Sequence, residues 1–192
     1  VSAVDAASLT TNAGGQAIIQ GARITTSGAQ TYNDDVLLGA TAHATVLNTT
    51  NAAVMFAGKL NNQNADAEAL TINAGSGAIT FTGTVGDAGA IGALVANSTD
   101  DTTFVSAVDA ASLTTNAGGQ AIIQGARITT SGAQTYNDQA YLGSDTTLNS
   151  SGAGDVVFNN KLDGGFNLVV NTAGQTQFND QVGSAAALAS IT

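Results

Sequence analysis

Apolar and polar positions alternate along this chain in short runs. In the stretch AITFTGTV, Ile79, Phe81, Gly83 and Val85 fall on one side and Thr80, Thr82 and Thr84 on the other. That period of two is the signature of a half-buried strand, and Thr, Val, Ile and Phe suit a pleated surface. An aromatic ring followed four residues later by an aliphatic side chain recurs at Tyr32/Val36, Phe56/Leu60, Phe81/Val85, Phe104/Val108, Tyr136/Ala140, Phe158/Leu162 and Phe178/Val182, with Ile19 and Ile123 in the same slot. A second anchor pairs an aliphatic with Asn or Ser three residues on: Leu9/Asn12, Ile24/Ser27, Leu70/Asn73, Leu94/Asn97, Leu113/Asn116, Ile128/Ser131, Leu148/Ser151 and Leu168/Asn171. Glycine-rich turns lie between the two anchors. The unit is strand, glycine turn, strand, turn, and it returns roughly every 20–25 residues, the size of a solenoid coil.

A longer repeat overlies this one. Residues 1–34 and 105–138 are identical, both reading VSAVDAASLTTNAGGQAIIQGARITTSGAQTYND. The identity divides the chain into duplicated modules, 1–104 and 105–192, of a single repeat segment. Two independent active sites have no need of the same 34 residues; a duplicated structural module does.

The rhythm predicts an all-β chain: a parallel β-solenoid (β-helix) of about nine coils, roughly 40 Å long at about 4.8 Å per coil. Each coil buries its apolar stripe against its neighbours, with Phe and Tyr stacked as an internal ladder. Asn12, Asn73, Asn97, Asn116 and Asn171 share one phase and predict either an internal ladder of amides or turn residues in the left-handed region. The alternative fold is an antiparallel β-sandwich, which also uses short, evenly spaced strands. Its hairpin signals are nearly missing, since Asp163-Gly164 is the sole Asn-Gly or Asp-Gly pair. The alanine-rich pieces 87–98 and 183–191 have helix propensity, but they occupy the strand phase of the repeat.

Composition narrows the picture. With six Phe, three Tyr, one Met and no Trp, the chain can fill a narrow core and not a thick one. The absence of cysteine rules out a disulfide framework and a thiol nucleophile. Fourteen acids against four bases give a net charge of −10, unsuited to a phosphate backbone. No apolar run approaches the roughly 20 residues of a membrane span. No basic-then-apolar leader opens the chain, which predicts a mature segment rather than a precursor. The final stretch VGSAAALASIT has the phase of VSAVDAASLT, so the pattern starts and stops in mid-repeat. That predicts self-association end to end into filaments, or membership of a longer repeat array.

The phrases ITTSGAQTYND, LGSDTTLNSSGAGDVVFNNKLDG and NLVVNTAGQTQFNDQVG resemble the repeats of filamentous-haemagglutinin-like and autotransporter-like bacterial surface proteins. The resemblance covers nearly the whole chain. It implies a right-handed parallel β-helix, secreted and displayed on a bacterial cell surface for adhesion, biofilm or a fibrous sheath, and it brings no catalytic residues.

Candidate chemistry is sparse. His43 stands alone in the insert TAHATV and reads as a loop residue. Asp34, Asp35, Asp138, Asp180 and the Asp100-Asp101 pair sit at turns, where oxygen-rich loops can hold calcium; solvated turn acids, with at most weak calcium binding, are the simpler reading. Sugar cleavage needs two facing carboxylates; Glu68, the only glutamate, and Asp66 two residues away would share a face on a strand, but their insert NNQNADAE reads as a solvated loop. The pairs Thr10-Thr11, Thr25-Thr26, Thr114-Thr115, Thr129-Thr130 and Thr146-Thr147 share a phase, but adjacent strand residues face opposite ways, so each pair offers one outward hydroxyl. Arg23, Arg127, Lys59 and Lys161 are expected beside turn carboxylates as weak surface pairs. No catalytic, cofactor or metal residue is therefore predicted. The expected function is a non-catalytic structural or adhesive repeat segment of a secreted bacterial surface filament or adhesin, with a host or surface glycan as an external partner. The alternatives are a carbohydrate-active β-helix enzyme and a passive stalk for a distal binding domain.

Overall fold

A computed structural model describes residues 3–39, 44–64 and 66–192. Among them are twenty-four strands and no helix. Every strand pairing is parallel, and the strands stack as a β-solenoid of about eight turns. The antiparallel sandwich is excluded by the strand direction. The helical alternative also fails: Ile91–Ser98 is an eight-residue strand, because alternate side chains here find an apolar interior on one side only.

Most turns lay three short strands on three faces, and where Val85 stands the third face is a single bridge residue. The first turn uses Val4–Ala6, Leu9–Thr11 and Gln16–Ile19, and the second uses Arg23–Thr26, Gln30–Tyr32 and Asp35–Leu38. On the first face the inward column is Val4, Ile24, Leu47, Ile72, Ala96, Thr115, Tyr136, Phe158 and Phe178, eight steps across nine rungs. The second face stacks Thr11, Tyr32, Phe56, Phe81, Phe104, Ile123 and Leu142. The third stacks Val36, Leu60, Val85, Val108, Ile128, Leu148 and Val170.

These columns fill the narrow core. Val36, Leu47, Leu60, Ile72, Leu94, Leu113 and Leu148 are fully buried, each contributing about 1.5–3 kcal/mol. The aromatic ladder is two ladders. Tyr32, Phe56, Phe81 and Phe104 stack on the second face with ring centroids 4.9, 5.3 and 5.4 Å apart. Tyr136, Phe158 and Phe178 stack on the first face at 5.0 and 5.4 Å. Such contacts add about 0.5–1.5 kcal/mol per pair beyond burial.

The two ladders differ in face because the two identical segments do. Val4 lies on the first face and Val108 on the third; Tyr32 lies on the second and Tyr136 on the first. Ile19 pairs with Leu38 on the third face, whereas Ile123 follows Phe104 on the second. The slot shared by Ile19 and Ile123 in the sequence is thus two places in the structure. The 104-residue offset between the copies is not a whole number of turns, so the second module is set back by one face.

Corners demand small residues. A Cβ on Gly58 would lie 2.5 Å from Asp34 O, and one on Gly83 would strike Gly58 O one turn below. Glycine is required there for close backbone approach between turns.

Candidate functional site

A buried polar strut accompanies each of the two buried tyrosines, Tyr32 and Tyr136. The Tyr32 hydroxyl donates to Gln30 Oε1 at 2.9 Å, and Gln30 Nε2 donates to Asn48 O (2.9 Å) in the next turn and to Thr26 Oγ1 (3.2 Å). Tyr136, Gln134, Asn149 O and Thr130 repeat the set at 3.0, 2.9 and 3.2 Å. Burial pushes both tyrosine hydroxyls well above the usual phenol range. Alternation puts Gln and Tyr of QTY on one face, so the strut is legible in both copies of the sequence once the inward column is allowed a polar member.

Outside, amides stack in register. Asn73 Nδ2 donates to Asn48 Oδ1 and Asn97 Nδ2 to Asn73 Oδ1, both at 2.8 Å. On the third face Asn171 Nδ2 donates to Asn149 Oδ1, also at 2.8 Å. Thr25 precedes the first row and Thr129 the second. The expected amide ladder therefore exists, but on the surface: Ile72 and Ala74 point inward, so Asn73 between them points out. Its members also differ. Asn12 and Asn116 donate to the carbonyls of Ala13 and Ala117 at turns, and Asn48 and Asn149 take their places. None of the five predicted asparagines is left-handed; Asn51 is, with φ 55°. A third row, Asn137, Asn159 and Asn179, has 2.7 Å links.

A shallow trough runs beside the second row, lined by Thr129, Asn149, Ser150, Ser151, Asn171, Thr172 and Ala173. The lining carries no charge.

The acids mostly clip turns together. Asp34 Oδ1 accepts the Gly15 N–H (2.7 Å) and Asp138 Oδ1 that of Gly119 (2.9 Å). Asp35 accepts from Lys59 N, and Asp100 and Asp180 accept the N–H of the next residue. Asp34 and Asp138 are buried, a correction to the solvated reading. Burial, with the charge of Asp101 nearby, holds Asp138 above the ordinary carboxylate range. Asp163, whose Asp-Gly pair is the one hairpin signal in the sequence, instead accepts from the Ala185 and Ala186 amides (2.8 and 3.1 Å), and these hold it below that range. Among the described residues no group of three or more His, Asp or Glu could hold a metal.

Glu68 is 1% exposed at the foot of Ala69–Gly75, so the solvated-loop reading is corrected for this residue; Asp66 is exposed. The structure does not bring the two carboxylates to one open face. His43 lies outside the described residues. Arg127 grips Asp109, Arg23 lies 3.5 Å from Asp5, and Lys59 Nζ is 2.7 Å from Asp87 Oδ2. The hydrogen bonds of Lys59 and Asn61 draw Asp87 down to about 2. The charge of Lys161 favours the ionised form of Asp163. Outward threonines on the second face run Thr10, Thr31, Met55, Thr80, Thr103, Ile122, so Met55 and Ile122 break the rank.

No protein family, curated protein or solved structure matches this chain.

Proposed function

We propose that this chain is a structural and adhesive repeat segment of a secreted bacterial cell-surface filament or adhesin, without catalytic activity or a resident cofactor. The observation that carries the reading is the continuous in-register stacking of two duplicated modules into one rod. Backbone hydrogen bonds between turns run along the axis and oppose extension. Two rows of stacked rings and the struts of Gln30 and Gln134 tie neighbouring turns together. The net charge of −10 keeps rods apart in solution. An identical segment stacks on two different faces, so one turn accepts another in more than one orientation; this supports end-to-end self-association or a place in a longer array. The resemblance to haemagglutinin-like repeats supports the extracellular location and a glycan-bearing surface as partner.

Electron microscopy of the purified chain, with antibody labelling of intact cells that produce it, tests the proposal. Unbranched rods and surface labelling are expected. Isolated short particles would favour a passive stalk, and labelling only after lysis would overturn the surface role. Turnover of a polysaccharide would overturn the non-catalytic reading.

A further inference from the structure

We infer that the Asn48–Asn73–Asn97 row and the Asn149–Asn171 row are two copies of one binding strip for a neutral, hydroxyl-bearing polysaccharide chain, set on two different faces of the rod. The inference rests on the adhesive reading above and names its ligand.

A side-chain amide has two N–H donors and an oxygen with two acceptor positions. Asn73 uses one donor on Asn48 and one acceptor position for Asn97. One N–H and one lone pair per inner amide are left for a ligand, repeating at about 4.8 Å along the axis. The second row adds the trough, where the amides of Asn149 and Asn171 are the groups left to a ligand, since the Ser151 and Thr172 hydroxyls donate to Thr130 O and Gly154 O.

The chemistry selects the occupant. The trough lining carries no charge, and the −10 of the chain repels a polyanion. A peptide adding as a strand needs free backbone groups, but the strands bearing these amides are already paired in register above and below. A linear polymer with hydroxyls at regular intervals meets the rows by side-chain hydrogen bonds alone. Each contact is weak, and repetition along the two or three rungs of a strip supplies avidity.

The two strips are alike in rank, whereas the third amide row, Asn137–Asn159–Asn179, has Asp138 and Asp180 next to its end members and is not a neutral strip. Asp5, Thr25, Asn48 and Asn73 follow one another on the first face, and Asp109, Thr129, Asn149 and Asn171 on the third. A rod with such strips holds two polymer chains on different sides and links them.

Affinity electrophoresis and titration calorimetry of the whole chain with dextran, mannan and xyloglucan, and with polygalacturonate as the anionic comparison, test this. Retardation by at least one neutral polymer, none by polygalacturonate, and two sites per chain are expected. Asn73→Ala/Asn97→Ala and Asn149→Ala/Asn171→Ala should each leave one site, and the quadruple variant none, with the far-ultraviolet circular dichroism unchanged. If the quadruple variant loses its sheet signal, the stoichiometries of the two double variants decide. No retardation by any neutral polymer, retardation by polygalacturonate alone, or binding indifferent to both pairs of substitutions would overturn it. Surface rods without glycan binding would sink this inference and leave the filament reading standing.

Discussion

Tyr32 and Tyr136 sit in identical 34-residue segments, yet Tyr32 stacks on Phe56 at the second face of the rod and Tyr136 on Phe158 at the first. Each carries its own glutamine strut and its own outward amide row. The module is a unit that the solenoid accepts on more than one face, because every face offers the same things: an inward column, an outward rank and a backbone ladder.

Phe81 is flanked by rings on both sides and is fully buried. Phe81→Ala should cost about 3–5 kcal/mol. Phe178, 37% exposed and stacked on one side only, should cost a fraction of that when replaced. Urea denaturation of the two variants measures the difference, and equal costs would contradict the ladder.

The strut at Gln134 holds a tyrosine hydroxyl and a carbonyl of the next turn. Tyr136→Phe removes one hydrogen bond and should cost about 0.5–1.5 kcal/mol. Gln134→Leu leaves the buried Tyr136 hydroxyl without its acceptor and should cost about 1–3 kcal/mol. In the double variant the penalties should fall short of their sum, since the hydroxyl is no longer there to be stranded.

Gly83 meets the Gly58 carbonyl across one turn. Gly83→Ala should lower the melting temperature, whereas Gly165→Ala, whose Cβ would meet open space, should leave it within about a degree. A similar loss at both positions would argue against tight corners.

Asp163 and Asp138 predict opposite pH behaviour. The folded-state pKa of Asp163 is depressed, so its contribution is present above the unfolded value near 4 and fades as pH falls through the lower folded value. Asp163→Asn should therefore destabilise at pH 7 and lose its effect in strong acid. The folded-state pKa of Asp138 is raised, so its contribution is present below about 4 and lost as pH rises through the folded value. Asp138→Asn, which keeps an acceptor for Gly119, should raise the melting temperature at pH 7 and not at pH 3. Thermal melts across that range check both signs.

Much of this was legible in one dimension. Alternation in AITFTGTV dictates a strand, and the return of Phe56, Phe81 and Phe104 at near-equal spacing dictates that rings meet rings, because stacking is a local consequence of equal turn length. Phase alone did not say which side of the strand faces in at Asn73, nor that Gln30 spans to Asn48 O, since both depend on what the neighbouring turn presents. Glu68 looked like part of a polar loop by composition, and its burial follows from the turn stacked beside it.

From its residues alone the chain determined strand, turn and ring ladder, since each depends on neighbours one turn away at most. The face on which each module stands was decided only in three dimensions. Corner lengths add up along the chain, so a few residues more or fewer in successive turns carry Tyr136 one face away from the place of Tyr32, though the 34-residue segments that hold them are identical.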